Sequence, residues 1–193
     1  MQQLKGLLNL RRTNLALIVI FFFCNGCASL WQPVHGTLSA AHWSVQVPDG
    51  WMRLTTPTYE MLSKDGPYLQ YILIQERPIS EGFHATGQKM DTQMLPNELA
   101  QVVIDTIQVD RQIRDLYVLS AVPAMIGGRQ GFKLIYTYLD QNSVEMKTIH
   151  YGALFPPYYF NLRYTAAARH YFDADENTFE QVAGSMRFID GKQ

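Results

Sequence analysis

The side chains able to do chemistry in this chain are spread out, not clustered. The five histidines are His35, His42, His84, His150 and His170. No two of them stand at HxH, HxxH or HExxH spacing, so no local zinc site is written into the sequence. No serine sits in the Gly-x-Ser-x-Gly elbow that would present a nucleophile. Ser44, Ser120 and Ser143 lie in or beside β-type segments with no base close in sequence. Asp173-Ala-Asp175-Glu-Asn177 matches the first three ligand positions of a calcium loop. It then has Thr178 where the sharp turn needs glycine, and Gly184 where a bidentate glutamate is needed, which leaves helix capping as the better reading. Gly127-Gly-Arg-Gln-Gly131 lacks the Lys-Ser/Thr of a phosphate loop and opens no helix. It reads as a turn, with anion binding beside Arg129 as the weaker option. No catalytic residue, metal or cofactor is expected.

Aromatic residues are the denser signal. Tyr136, Tyr138, Tyr151, Tyr158, Tyr159, Phe160 and Tyr164 all fall between residues 136 and 164. One reading is strand propensity and core filling. The other is a concave face for a partner or ligand, made by Tyr136, Tyr138, Tyr158 and Tyr164 with Arg163 as its polar handle.

Cys27 carries the third kind of chemistry. Lys5, Arg11 and Arg12 open the chain with no acidic residue among them, and Leu15 to Phe23 is an unbroken apolar run of nine. A membrane-crossing helix needs about 20 such residues, so this run has the proportions of a secretory signal peptide. Asn25-Gly26-Cys27 resembles a bacterial lipobox, although Cys24 stands where leucine is usual. Cys24 follows bulky Phe23 and is excluded as the modified residue. Cys27 would be the only cysteine left after cleavage, with no disulfide partner, and lipidation accounts for it. Ala28, where an aspartate is absent, resembles lipoproteins sorted to the outer membrane. The expectation is residues 1–26 as signal peptide, 27–41 as tether, and a lipid-anchored body facing the periplasm. Trp31 in the tether either enters the membrane interface or packs on the domain.

The elements that must position these residues form one domain, expected over residues 42–190. A composition 47% hydrophobic and 17% charged excludes a disordered chain. Loss of three basic residues with the signal takes the net charge from −1 to −4. That balance gives no electrostatic reason to bind nucleic acid or anionic headgroups.

Trp43, Val45 and Val47 alternate with polar residues as in a half-buried strand, which Pro48-Asp49-Gly50 ends. After the less regular stretch Met52 to Ser63, Lys64-Asp65-Gly66-Pro67 turns the chain into the β-type run Tyr68 to Gln75, predicting an antiparallel hairpin. Pro96 opens a helix of roughly 12–14 residues. Leu99, Val102, Val103 and Ile107 form its apolar face, and burying them contributes a gross ~6–12 kcal/mol. Four strand candidates with short links follow: Tyr117 to Ile126, Phe132 to Tyr138, Val144 to Phe155 and Tyr158 to Ala166. They predict an antiparallel meander. A second helix carries Phe179, Val182, Ala183 and Met186, with Asp173 and Asp175 as its capping residues. The architecture predicted is α+β.

WSVQVPDGWMRL, LPNELAQVVIDTI, VPAMIGGRQGFKLIYTYL, YYFNLRYTAA and FEQVAGSMRF, in that order, resemble the PsbP-like fold. The resemblance covers roughly Trp43 to Phe188 and rests on the order of apolar landmarks. It implies an antiparallel sheet with helices on its faces, as in photosystem oxygen-evolving subunits, a Ran-binding nuclear-transport protein and many bacterial lipoproteins. It also implies a non-catalytic module that binds an envelope protein partner, and transfers no site residue. The alternative is a carrier of a small apolar ligand in an aromatic-lined cleft.

Overall fold

The computed structural model describes residues 30–189; the expected signal peptide and Cys27 lie outside them. The strands are β1 (Gln32–Pro33), β2 (Gly36–Ser39), β3 (Trp43–Val47), β4 (Met52–Thr55), β5 (Glu60–Ser63) and β6 (Gln70–Pro78), then β7 (Arg114–Ile126), β8 (Arg129–Leu139), β9 (Glu145–Phe155), β10 (Tyr158–Ala167) and β11 (Arg187–Phe188). Two helices interrupt them, α1 (Pro96–Gln108) and α2 (Tyr171–Ser185). Eight strands make one sheet in the order β1-β4-β5-β6-β10-β9-β8-β7, and a small sheet runs β11-β3-β2. Neighbouring strands pair antiparallel, so the α+β reading holds.

Local chemistry sets the hairpins. Gly127 and Gly128 have φ of +56° and +80°, the left-handed pair that a two-residue turn between Ile126 and Arg129 requires. Asp140 Oδ1 accepts the N–H groups of Asn142 and Val144, both at 2.8 Å, and turns β8 into β9. β5 and β6 form the expected hairpin, although β6 begins at Gln70 because Tyr68 belongs to the turn and is exposed.

The large sheet is covered on both faces. On one side Phe160, Leu162, Tyr164 and Ala166 of β10 pack with Phe172, Phe179 and Val182 of α2 and with Trp43, Val45 and Val47 of the small sheet. On the other, Phe132, Leu134, Tyr136 and Tyr159 pack beneath α1 and the 79–95 segment. No helix among the described residues is long and apolar enough to cross a membrane.

Three expectations need correction. The 27–41 tether is partly structured. Gln32–Pro33 pairs with β4 and Gly36–Ser39 with β3, while Val34 and Leu38 are buried and Trp31 is half-buried. These strands are too short for periodicity to show them. The buried face of α1 is Leu99, Ala100, Val103, Ile104 and Ile107, with Val102 at its margin, because the 100–104 row also faces the sheet. Finally, α2 is capped by neither aspartate. His170, at φ 78°, is its N-cap without a side-chain bond, while buried Asp175 takes Lys64 Nζ at 3.3 Å.

Val103→Asp places an unpaired carboxylate under α1 and should cost about 3–5 kcal/mol in urea unfolding. Exposed Gln108→Ala should stay within about 0.5 kcal/mol. Equal stabilities would mean that α1 does not dock through this face.

Candidate functional site

Successive strand residues point to opposite faces, so polar residues two apart gather on one side. On the α1 side of the large sheet this places Tyr159, Asn161, Arg163 and Thr165 of β10 beside Tyr71, Gln75 and Arg77 of β6. Thr148 and His150 of β9 complete the polar strip. Register pairs them directly. Asn161 sits opposite Gln75 and donates to its Oε1 at 3.0 Å, and the Thr165 and Thr148 hydroxyls bond at 2.9 Å. Arg163 sits opposite His150.

Helix α1 and the 79–95 segment cover this strip incompletely and leave two open clefts that meet at Arg163. One, of about 310 Å³, is lined by Arg77, Phe83, Val103, His150, Tyr159 and Asn161 among others. The other, of about 300 Å³, is lined by Tyr71, Tyr136, Tyr138, Met146, Asp110 and Thr165, again with Arg163. On β9, Gly152 leaves room for neighbouring rings: a Cβ there would clash with Phe132 and lie 3.0 Å from the Tyr159 hydroxyl.

The electrostatics follow from burial. Burial opposes the charge on Arg163, but the phenols of Tyr71, Tyr136, Tyr138 and Tyr159 around it more than offset this, and it remains a cation. Its Nε is sealed without a partner, although the side chain is partly exposed through the cleft. Burial pushes the Tyr136, Tyr138 and Tyr159 phenols above their ordinary range, so they remain protonated. Burial, reinforced by the charge of Arg163, pushes His150 down to about 3, so its imidazole is neutral. Both its ring nitrogens lack a protein partner, and Phe132 meets it edge-on at 5.4 Å. Arg77 donates to the Gly82 carbonyl at 2.8 Å and lies 4.4 Å over the Phe83 ring and 5.3 Å from that of Tyr159.

The aromatic face expected from sequence is thus divided. Tyr136, Tyr138 and Arg163 come together. Tyr164 does not: it faces α2, fully buried, and donates to the Tyr171 carbonyl at 2.8 Å. Tyr158 lies at the far end of β10, stacked on His42 at 4.5 Å. Both differ in strand parity from Arg163, a signal present in the sequence. The same parity would have found Tyr159 and Asn161; Tyr71, Arg77 and His150 join only through strand pairing. The Gly127–Gly131 motif is a hairpin, and Asp173 to Asn177 lies within α2. Among the described residues no group of three or more His, Cys, Asp or Glu could hold a metal.

A sealed, neutral His150 has a sign for stability. Above about pH 6.5 neither state carries the proton. As pH falls, the unfolded chain binds a proton that the folded one refuses, and stability is lost at about 1.4 kcal/mol per pH unit. Between pH 8 and 5 the wild type should therefore lose about 2 kcal/mol more than His150→Gln in urea unfolding. Parallel pH profiles would show that the imidazole is not sealed.

No protein-family model matches the chain, and no curated protein is recognisably similar in sequence. Solved structures resemble it in architecture. The solution structure of cyanobacterial PsbP (CyanoP) from Synechocystis superposes with a TM-score of 0.57 at 14% identity, over 86% of this chain and 95% of that one. LpqN of Mycobacterium tuberculosis, involved in cell envelope biogenesis, gives 0.53 at 13% identity over 83% and 91%. The Ran-binding protein Mog1p of Saccharomyces cerevisiae gives 0.53 at 8% identity over 83% and 96%. Likeness at these identities is likeness of architecture, and by that measure the chain has the PsbP-like fold.

Proposed function

We propose that this chain is a non-catalytic accessory lipoprotein of the cell envelope, held at the outer membrane through Cys27 and working by binding another protein. The observation that carries this reading is strand β7. It ends the large sheet, paired on one side only with β8. From Leu116 to Ile126 it has no charged residue, yet Tyr117, Leu119, Val122 and Met125 are 66%, 50%, 45% and 61% exposed. Sheet edges are usually blunted with charge, and an uncharged apolar edge is the kind of surface a partner covers. Tyrosine and methionine are also enriched at interfaces. Pro123 and the register shifts between Arg114 and Tyr117 and between Val118 and Ser120 interrupt the backbone edge. They disfavour open-ended strand addition, so recognition runs through the side chains.

The solved neighbours support this reading, since one is described as Ran-binding and another as involved in envelope biogenesis. The ring nitrogens of buried His150 engage neither a serine nor a carboxylate. The second reading, a carrier, draws on the clefts beneath α1. They are open and lined with polar groups, which does not suit a wholly apolar cargo.

A photo-crosslinking side chain at Leu119 in the native envelope should give one discrete adduct, and the same group at exposed Gln181 on α2 should not. Tyr117→Lys combined with Met125→Lys should abolish the adduct while changing folding stability by no more than about 0.5 kcal/mol per site. Adducts of equal yield from both positions would contradict a β7 interface. Cys27→Ser should release the protein from the membrane, and full retention of that variant would contradict the anchor.

A further inference from the structure

Few buried side-chain polar atoms among the described residues lack a hydrogen bond, and those that do are concentrated. Buried Ser63 donates to the Gln70 carbonyl, Thr148 bonds Thr165, and Asn161 bonds Gln75. Among the described residues five buried side-chain atoms have no protein partner, and four of them belong to residues that line one cleft: Nδ1 and Nε2 of His150, the Tyr159 hydroxyl and Arg163 Nε. His150 is 6% exposed and Tyr159 2%. An unmet buried polar atom is costly, so four on residues around one cleft call for a reason beyond packing.

The charge of the cleft narrows that reason. Arg77 and Arg163 line it, and no aspartate or glutamate does, in a chain whose formal net charge is −1. Arg77 is already engaged by the Gly82 carbonyl and the Phe83 ring and acts as wall. Arg163 makes no ion pair among the described residues and is surrounded by phenols. Tyr136 is a hydrogen-bonding neighbour of Arg163, which leaves the guanidinium without a counter-charge in a partly closed site; that matches a monoanion, and its planar fork matches a carboxylate. The Tyr159 hydroxyl and one N–H of neutral His150 are further donors for the same group. Opposite them the lining turns apolar, with Phe83, Val103 and Ile107. The volume of about 310 Å³ lies at the small end of ligand pockets. It holds roughly ten non-hydrogen atoms at ~30 Å³ each.

We propose that the cleft between α1 and strands β6, β10 and β9 binds a small amphipathic carboxylate. Its head lies among Arg163, His150 and Tyr159, and its apolar body lies against Phe83, Val103 and Ile107. The site is on a different part of the sheet from the exposed β7 residues and stands independently of a protein partner there.

The test uses the full-length protein in lipid nanodiscs, with 3-phenylpropionate as probe and its neutral amide as control, read by calorimetric titration against empty nanodiscs. The acid should bind saturably, one per chain, and the amide at least tenfold more weakly. Arg163→Met should weaken the acid at least tenfold. Ala85→Trp obstructs the mouth from an exposed position while leaving Arg163 in place, and should do the same. That variant decides the matter if Arg163→Met fails to fold. Equal affinity for acid and amide, no saturable binding, or undiminished binding to Ala85→Trp would each overturn the proposal. So would inorganic phosphate displacing the acid at equal concentration, which would reduce the site to one for simple anions.

Discussion

Strands β9 and β10 run through the middle of the large sheet with cover on both faces, and this two-sided burial is the constraint from which the other features follow. A strand covered on one side can turn its polar residues to water. These two cannot, so each polar residue on them needs a partner inside the protein. Toward α2 the solution is apolar packing around Tyr164, whose ring lies 5.5 Å from both Phe172 and Phe179 and whose hydroxyl meets backbone carbonyls. Tyr151 and Lys133 reach the edge of the same layer and converge on Glu180 of α2, at 2.8 and 2.7 Å. Toward α1 the solution is a polar strip bonded strand to strand, and it remains incomplete at Arg163, His150 and Tyr159.

The two candidate surfaces arise from where that cover stops. Helix α1 caps only part of the polar strip, which opens the clefts on either side of Arg163. At the end of the sheet, Leu116 and Val118 of β7 still pack inward with the α1-side core, while Tyr117 and Val122 meet solvent. The fold thus separates a concave site lined with donors from an exposed apolar edge. A small anion and a protein partner suit these different shapes.

Much of this frame was legible in the sequence because it is local. The alternation of Trp43, Val45 and Val47, proline at the head of α1, the Gly127-Gly128 turn and the four-strand meander all rest on neighbours within a few residues. What escaped depends on distant pairing. Gln32–Pro33, Gly36–Ser39 and Arg187–Phe188 are strands only because β4 and β3 accept them. The run YYFNLRYTAA is buried on both faces, so hydropathy alone does not assign Tyr164 to one face and Arg163 to the other. His150 looked like one of five scattered histidines until register placed it opposite Arg163.

Amide hydrogen exchange of the full chain, compared between purified protein and protein in its native membranes, addresses most directly the claim that β7 is a covered surface in the cell. The account predicts slower exchange from Tyr117 to Ile126 in the membranes, with the amides of α2 unchanged. Identical exchange along β7 in the two samples would contradict it.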